Sequence, residues 1–244
     1  MKTFKILLFL VFTICAVFCF FNIYNIFKEE QDNEEIKEEL IEKVEIPEVI
    51  SEEPAFKVDF EELQNINKDI VGWIVIEGTQ VNYPIVQGKD NSYYLNHSYE
   101  KKWSGFGSIF MDSSSSNDFS DYNTFIYGHH TKDGSMFGEI YKYLDVEFYK
   151  EHPYFYLYTP NVRYKAKVFS AYVDSSDSDS YRQLFSSKDD YKNYLNKIIK
   201  KGRYSSDAVM DFGNDKIITL YSCSREGNWT KSDRYFIHAV LEEF

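Results

Sequence analysis

Polar and apolar positions divide the chain into three stretches. From Ile6 to Phe21 no side chain is charged and Thr13 is the only hydroxyl residue, and apolar character continues through Ile23, Tyr24, Ile26 and Phe27. A helix over Phe4 to Phe27, rising ~1.5 Å per residue, is long enough to cross a bilayer. Cys15, Ala16 and Cys19 lie inside the run and bulky Phe20, Phe21, Tyr24 and Phe27 close it. The small-x-small site of a cleaved signal peptide is therefore missing, and residues 1–27 read as a cytoplasmic tip plus an uncleaved anchor. Lys2 and Lys5 precede the run, which orients the N-terminus to the cytoplasm and the rest outside, as a single-pass protein of the cell membrane.

The second stretch, residues 28–55, carries 12 acidic and 3 basic side chains and has little apolar area to bury. It reads as an extended or partly helical stalk, with a short surface helix over Asn33 to Val44 as the alternative. The third stretch, residues 56–244, is long enough for one domain with its own core. Phe60, Leu63 and Ile66 recur at helical spacing behind Asp59, a residue suited to an N-cap. Branched and aromatic runs predict strands over Ile70–Ile76, Val81–Val86, Ser108–Asp112, Thr124–Tyr127, Tyr154–Tyr158, Tyr164–Tyr172, Lys216–Tyr221 and Tyr235–Leu241. Pro84 argues for an edge position or an irregular strand. Met136–Tyr143 and Lys188–Lys201 read as helices, the second with Tyr191, Leu195 and Ile198 or Ile199 on one side. Eight strands with so few helical crossovers predict a mainly β fold, a barrel with helical insertions, over a parallel α/β sheet.

Charge and cysteine usage narrow the chemistry. The net charge is −12; the stalk holds −9 and the two leading lysines +2, which leaves −5 for residues 56–244. No basic stripe is present to neutralise phosphates, so nucleic acid is excluded as a partner. With Cys15 and Cys19 in the anchor, Cys223 is the only cysteine of the outer stretch, without a partner for an intramolecular disulfide. It ends the apolar run that starts at Lys216, and a polar loop follows before Arg234 opens the next strand. A thiol at a strand end beside a loop is held by the scaffold yet open to substrate.

A nucleophilic thiol needs a base, and His129, directly after Gly128 at the end of a predicted strand, supplies one. His130 competes, since neighbouring residues on extended backbone point opposite ways and only one can face Cys223. His97, His152 and His238 are weaker candidates: His152 precedes Pro153 in a turn, and His238 reads as a partly buried, structural strand residue. Arg234, 11 positions past Cys223, is placed to donate to a substrate carbonyl or an oxyanion; Arg225 competes from within the loop. Asp112 and Asp233 are acidic candidates that spacing alone does not select. No Cys-x-x-Cys or His-Glu-x-x-His is present, so no metal or cofactor is expected at the thiol. The acidic loops Asp174–Asp179 and Ser113–Asp121 leave calcium open, although neither matches an EF-hand.

Taken together, Thr219-Leu-Tyr-Ser-Cys223, Tyr127-Gly-His-His130, Asp133-Gly-Ser-Met-Phe137, Arg234, Tyr94-Leu-Asn-His97 and Gly107-Ser-Ile-Phe-Met-Asp112 resemble the class B members of the sortase family. The resemblance implies an eight-stranded sortase-type barrel with N-terminal helices and a helical insertion before the cysteine-bearing strand. It makes Cys223 the nucleophile, His129 rather than His130 the acid/base residue, and Arg234 the positioning and oxyanion-side residue. It further implies cleavage at the Thr of a surface-protein sorting signal, of the Asn-Pro-x-Thr-Asn or Ser/Pro-Pro-x-Thr-Gly kind. A thioacyl enzyme would then pass the product to an amine of a peptidoglycan cross-bridge or lipid-linked precursor. Asn96, Ser104, Tyr127 and Ser222 are candidates for lining the peptide groove. Ser222 departs from the Thr usual before the cysteine, keeping the hydroxyl and losing a methyl. A hydrolytic cysteine peptidase and a non-catalytic anchored binding module are the competing readings.

Overall fold

The structure is a computed structural model that describes residues 12–25, 27, 28, 31, 44, 45, 57–206, 211, 214–223 and 232–244. The chain forms two compact units, Met1–Val58 and Asp59–Phe244.

In the first unit residues 12–25 are helical (α1), with Phe12, Phe18, Phe20 and Phe21 exposed. The expected anchor begins and ends outside the described residues. Among the described residues no helix is long and apolar enough to cross a membrane. Most of the expected stalk, including residues 33–43 of its alternative helix, also lies outside them. Two short strands, β1 (Val44–Glu45) and β2 (Lys57–Val58), pair antiparallel.

The second unit opens with α2 (Phe60–Ile66), where the Asp59 side chain accepts from the Glu62 N–H and caps the helix as its position predicts. Eight strands follow: β3 (Ile70–Val75), β4 (Asn82–Val86), β5 (Ile109–Met111), β6 (Asn123–Tyr127), β7 (Tyr154–Tyr158), β8 (Arg163–Ser175), β9 (Ile217–Cys223) and β10 (Asp233–Glu243). They close a barrel in the order β10-β8-β7-β3-β4-β5-β6-β9, with β9 returning to β10. Only β4–β5 and β6–β9 are parallel pairs. Trp73, Ile85, Phe125, Phe155, Val168, Leu220 and Ile237 are fully removed from water. Each such side chain stabilises the fold by about 1.5–3 kcal/mol.

Two expectations are corrected. Pro84 is not at an edge: β4 lies between β3 and β5. Its ladder with β5 begins only at Ile85, so on that side the proline precedes the pairing, and a register shift at Ile70/Gly72 in β3 marks the irregularity on the other. Residues 136–143 do not form one helix. Met136 has a φ of 49°, outside the helical region, and a 3-10 helix (Ile140–Leu144) starts only after Gly138. A further helix, α3 (Val146–Glu151), capped by Asp145, follows it.

The last helix, α4 (Lys188–Lys201), has the predicted bounds. Ser187 caps it, Asp189 and Asp190 occupy its first turn and Lys200 and Lys201 its last, each charge opposing the helix dipole. Its buried residues are Tyr191, Tyr194, Leu195 and Ile198, one face at helical spacing. Ser170 of β8 donates to the Ile198 carbonyl and fixes α4 against the barrel just before the cysteine-bearing strand.

Candidate active site

Strand register alone brings the three main candidates to one rim of the barrel. Arg234 is the direct antiparallel partner of Cys223. On the other side of β9, the parallel ladder with β6 runs from Asn123↔Ile217 to Tyr127↔Tyr221. Carried on by two residues, that register sets His129 beside Cys223. Two hydrogen bonds beyond the ladder sustain it: the Gly128 N–H donates to the Tyr221 carbonyl (3.3 Å), and the Ser222 hydroxyl donates to the Gly128 carbonyl (2.7 Å). A pair 94 residues apart in sequence thus becomes neighbours across one strand spacing.

Gly128 is required by packing. A Cβ there would lie 2.7 Å from the Phe137 ring, which is fully buried against it. Phe137 in turn donates its N–H to the His129 carbonyl, so the glycine and the phenylalanine together fix the turn that delivers the imidazole. His129 Nε2 is 2.7 Å from the Leu95 carbonyl oxygen. A carbonyl only accepts, so Nε2 carries the proton, and in the neutral ring Nδ1 is the basic nitrogen. The adjacent His130 goes elsewhere: it bridges to Met136 and its ring packs between Tyr141 and Tyr235.

Arg234 is held on both sides, by Cys223 of β9 and Asp174 of β8. Its Nη1 donates to the Asp233 carbonyl at 2.9 Å and its guanidinium lies 5.9 Å from the Tyr221 ring centre. The competing Arg225 lies outside the described residues.

The candidate groove residues divide into two kinds. Asn96 is exposed and follows Leu95, the residue that holds His129; its carbonyl accepts from the N–H of buried Ser104 at 2.9 Å. Tyr127 and Ser222 are buried, with their hydroxyls given to protein partners. Ser222 ties β9 to Gly128. Tyr127 donates to Asp112 Oδ2 and lies 2.5 Å from the Tyr181 hydroxyl. Burial raises the Asp112 carboxyl, but hydrogen bonds from Tyr127 and Ser114 outweigh it and hold the pKa at about 2, so the buried group is a carboxylate. Burial and Asp112 push the Tyr127 hydroxyl far up, so it is a permanent donor.

The other histidines are structural. His97 stacks on Tyr93 with ring centres 4.0 Å apart, and His152 ends α3 against Phe148. His238 is fully buried between the Tyr172 hydroxyl (2.9 Å) and the Thr219 hydroxyl (2.8 Å). Among the described residues no group of His, Cys, Asp or Glu is placed to hold a metal ion. In the acidic loop after β8, Lys201 pairs with Asp174 and Asp179, and Lys197 also pairs with Asp179. In the serine-rich loop, Asp118 and Asp121 accept from the N–H groups of Ser120 and Ser116.

Sequence reasoning missed Leu95, whose backbone oxygen is the functional atom and leaves no trace in residue type. It also missed Tyr181, which lies two residues past the loop Asp174–Asp179, read only for its acidity.

A cysteine, a histidine and an arginine on adjoining strand ends of a closed barrel define a candidate thiol acyl-transfer site. The sortase domain model matches residues 74–242. Sortase B of Listeria monocytogenes serovar 1/2a (strain ATCC BAA-679 / EGD-e) is 40% identical over 173 residues, 71% of this chain and 70% of that protein. Sortase B of Staphylococcus aureus (strain NCTC 8325 / PS 47) is 39% identical over 164 residues, 67% of each. Among solved structures, a Staphylococcus aureus sortase B–substrate complex aligns with a TM-score of 0.71 at 36% identity, covering 75% of this chain and 84% of that one. Sortase B of B. anthracis in complex with AAEK1 aligns with a TM-score of 0.75 at 37% identity, covering 89% and 100%. The chain belongs to the sortase family, cysteine transpeptidases that anchor surface proteins. Its relatives place it among the class B members.

Proposed function

We propose that this enzyme cleaves a C-terminal sorting signal after threonine through a thioacyl intermediate on Cys223, and joins the surface protein to a cell-wall amine. The observation that carries the reading is the backbone placement of Cys223 between Arg234 and the His129 turn. With Nε2–H directed to Leu95, His129 Nδ1 is the nitrogen that takes the thiol proton and returns it to the leaving amine. The Cys223 sulfur attacks the threonine carbonyl, and the Arg234 guanidinium faces the developing oxyanion. The incoming amine then loses its proton to His129 as it expels the thiolate. Asn96, exposed beside the His129 turn, is the groove candidate best placed to meet the peptide. Supporting the substrate class, one solved relative is a sortase B–substrate complex.

The Phe4–Phe27 run serves as the anchor and residues 28–55 as the spacer that carries the barrel away from the membrane.

The test is incubation of the full chain in detergent with sorting peptides, with and without a peptidoglycan-type amine, followed by mass spectrometry. A peptide-dependent adduct on Cys223, resolved to an amide when amine is added and absent in Cys223→Ala, is the expected result. An adduct resolved only by water in the presence of amine overturns the transpeptidase reading in favour of a peptidase. No adduct from a folded chain with a broad peptide library overturns both.

A further inference from the structure

Asp112 follows β5, far in sequence from the candidate residues on β9, yet its buried carboxylate gathers four segments. Oδ1 accepts from the Ser114 N–H (2.9 Å) and hydroxyl (2.7 Å); Oδ2 accepts from Asn91 Nδ2 (2.8 Å) and the Tyr127 hydroxyl (2.5 Å), and the Tyr181 oxygen lies 3.3 Å from it. Every donor is an amide or a hydroxyl, and among the described residues no ammonium or guanidinium bonds to this carboxylate. A carboxylate buried among neutral donors is costly unless nearly all its lone pairs are used, and here they are.

The donor directions can be worked out. Tyr127 has one hydroxyl proton and gives it to Asp112, so at the 2.5 Å Tyr127–Tyr181 contact the proton comes from Tyr181. The result is a relay running one way, Tyr181 to Tyr127 to Asp112, in which each bond polarises the next. Gln183 is drawn to the same side, its Oε1 accepting from the Ser115 hydroxyl at 3.2 Å. The alternate residues are tied as well: the Ser180 carbonyl accepts from the Tyr194 hydroxyl of α4 (2.9 Å) and the Arg182 carbonyl from Asn123 Nδ2 of β6 (2.9 Å). Each of residues 180–183 is therefore held by a hydrogen bond to a neighbouring segment.

That stretch borders the reactive rim. The Tyr181 ring centre is 5.5 Å from that of Tyr221, which stands two residues before Cys223 and beneath the Arg234 guanidinium. At the start of the same connection, the Ser176 N–H donates to the Ser232 carbonyl, just ahead of Asp233 and Arg234.

We propose that Asp112 is a positioning residue: acting through Tyr127, it fixes Tyr181 and residues 180–183 as a wall beside the Cys223 end of β9. It touches no substrate. Its effect is on peptide binding rather than on the chemical step, because the relay ends on the wall and not on His129 or Arg234. This inference rests on the proposed peptide-cleaving reaction.

The experiment compares Asp112→Asn, Tyr127→Phe and their double variant, as full chains, in peptide-cleavage kinetics and in amide deuterium exchange of residues 180–183. Asp112→Asn keeps size and hydrogen bonding but replaces one acceptor with a donor; Tyr127→Phe opens the same link by a single oxygen and serves if the first variant fails to fold. Each single variant is expected to raise KM for the peptide about tenfold with kcat within about twofold, and the double variant to be no worse than the singles. Exchange across 180–183 is expected to rise at least about tenfold with the other barrel strands unchanged. Unchanged KM and exchange alongside a lowered melting temperature would make Asp112 an ordinary core polar group and overturn the proposal. A fall in kcat at unchanged KM also overturns it, by moving the effect to His129. The exchange measurement needs no substrate, so it tests the clamp even if the wild-type chain cleaves no peptide, the result that would sink the proposed function instead.

Discussion

At the scale of single residues, the position before Cys223 shows how a small hydroxyl does positioning work. Ser222 is only 2% exposed, and its donation to the Gly128 carbonyl is one of two bonds that extend the β6–β9 register to the His129 turn. Ser222→Ala leaves that part-buried carbonyl short of a donor, at a cost of about 1 kcal/mol, and loosens the turn that sets the imidazole. Ser222→Thr keeps the hydroxyl and adds a methyl. The expected outcome is a kcat about tenfold lower for Ser222→Ala at nearly unchanged KM, with Ser222→Thr within about twofold of wild type, read from peptide-cleavage rates. Equal losses in both variants would assign the effect to packing. The lone Cys223, the Gly-His pair and the strand-opening arginine were legible because each carries its chemistry in its residue type. The Leu95 carbonyl and the Asp112 relay were not, because they depend on contacts between residues 34 and 69 positions apart that no local pattern encodes.

At the scale of elements, β6, β8, β9 and β10 are joined through one buried polar chain. Thr219 gives its proton to Asn123 Oδ1 (2.7 Å), so it accepts from His238 Nδ1–H, and His238 Nε2 accepts from Tyr172. Only a neutral imidazole satisfies both ends, and burial, with Lys201 nearby, lowers the His238 pKa from its ordinary 6.5 to about 3. The folded pKa lies below the unfolded one, so the unfolded chain binds the extra proton. The contribution is complete above about pH 6.5 and is lost as pH falls toward 3, by up to about 1.4 kcal/mol per pH unit. Asp112 and Asp174, both held at about 2, add their own losses only below the ordinary carboxylate range near 4. Urea melts between pH 6.5 and 4.5 are expected to show stability falling with pH, and a His238→Gln variant to flatten that slope. An unchanged slope in the variant would remove His238 as its source. The strands themselves were readable from branched and aromatic content, and α4 from the spacing of its apolar residues. The stretch after His129 was misread because its apolar residues fit a helix, while Met136 at positive φ and the close approach at Gly138 impose a turn that periodicity does not register.

At the scale of the whole molecule, the charge and apolar content of the two ends assign separate tasks to separate stretches. The family model covers residues 74–242, so residues 1–55 lie wholly outside the matched region. Residues 28–55 hold −9 of the net −12, and like charges at that density repel one another. If the Phe4–Phe27 run only tethers the barrel and the stalk only spaces it, neither contributes to the chemical step. Deleting residues 1–27 is then expected to leave kcat/KM for soluble peptide and soluble amine within about twofold while releasing the protein from the membrane fraction. On intact cells expressing the full chain, added protease should digest the barrel together with an external control. Retention of the truncated protein in washed membranes, or a barrel untouched while the control is cut, overturns the single-pass outward arrangement. A fall of tenfold or more with soluble substrates overturns the separation of tasks, because it makes the N-terminal stretch part of the working site. A selective loss toward a lipid-linked amine, with soluble amines unaffected, supports it: anchoring raises the local concentration of an acceptor confined to the same membrane and changes nothing at Cys223.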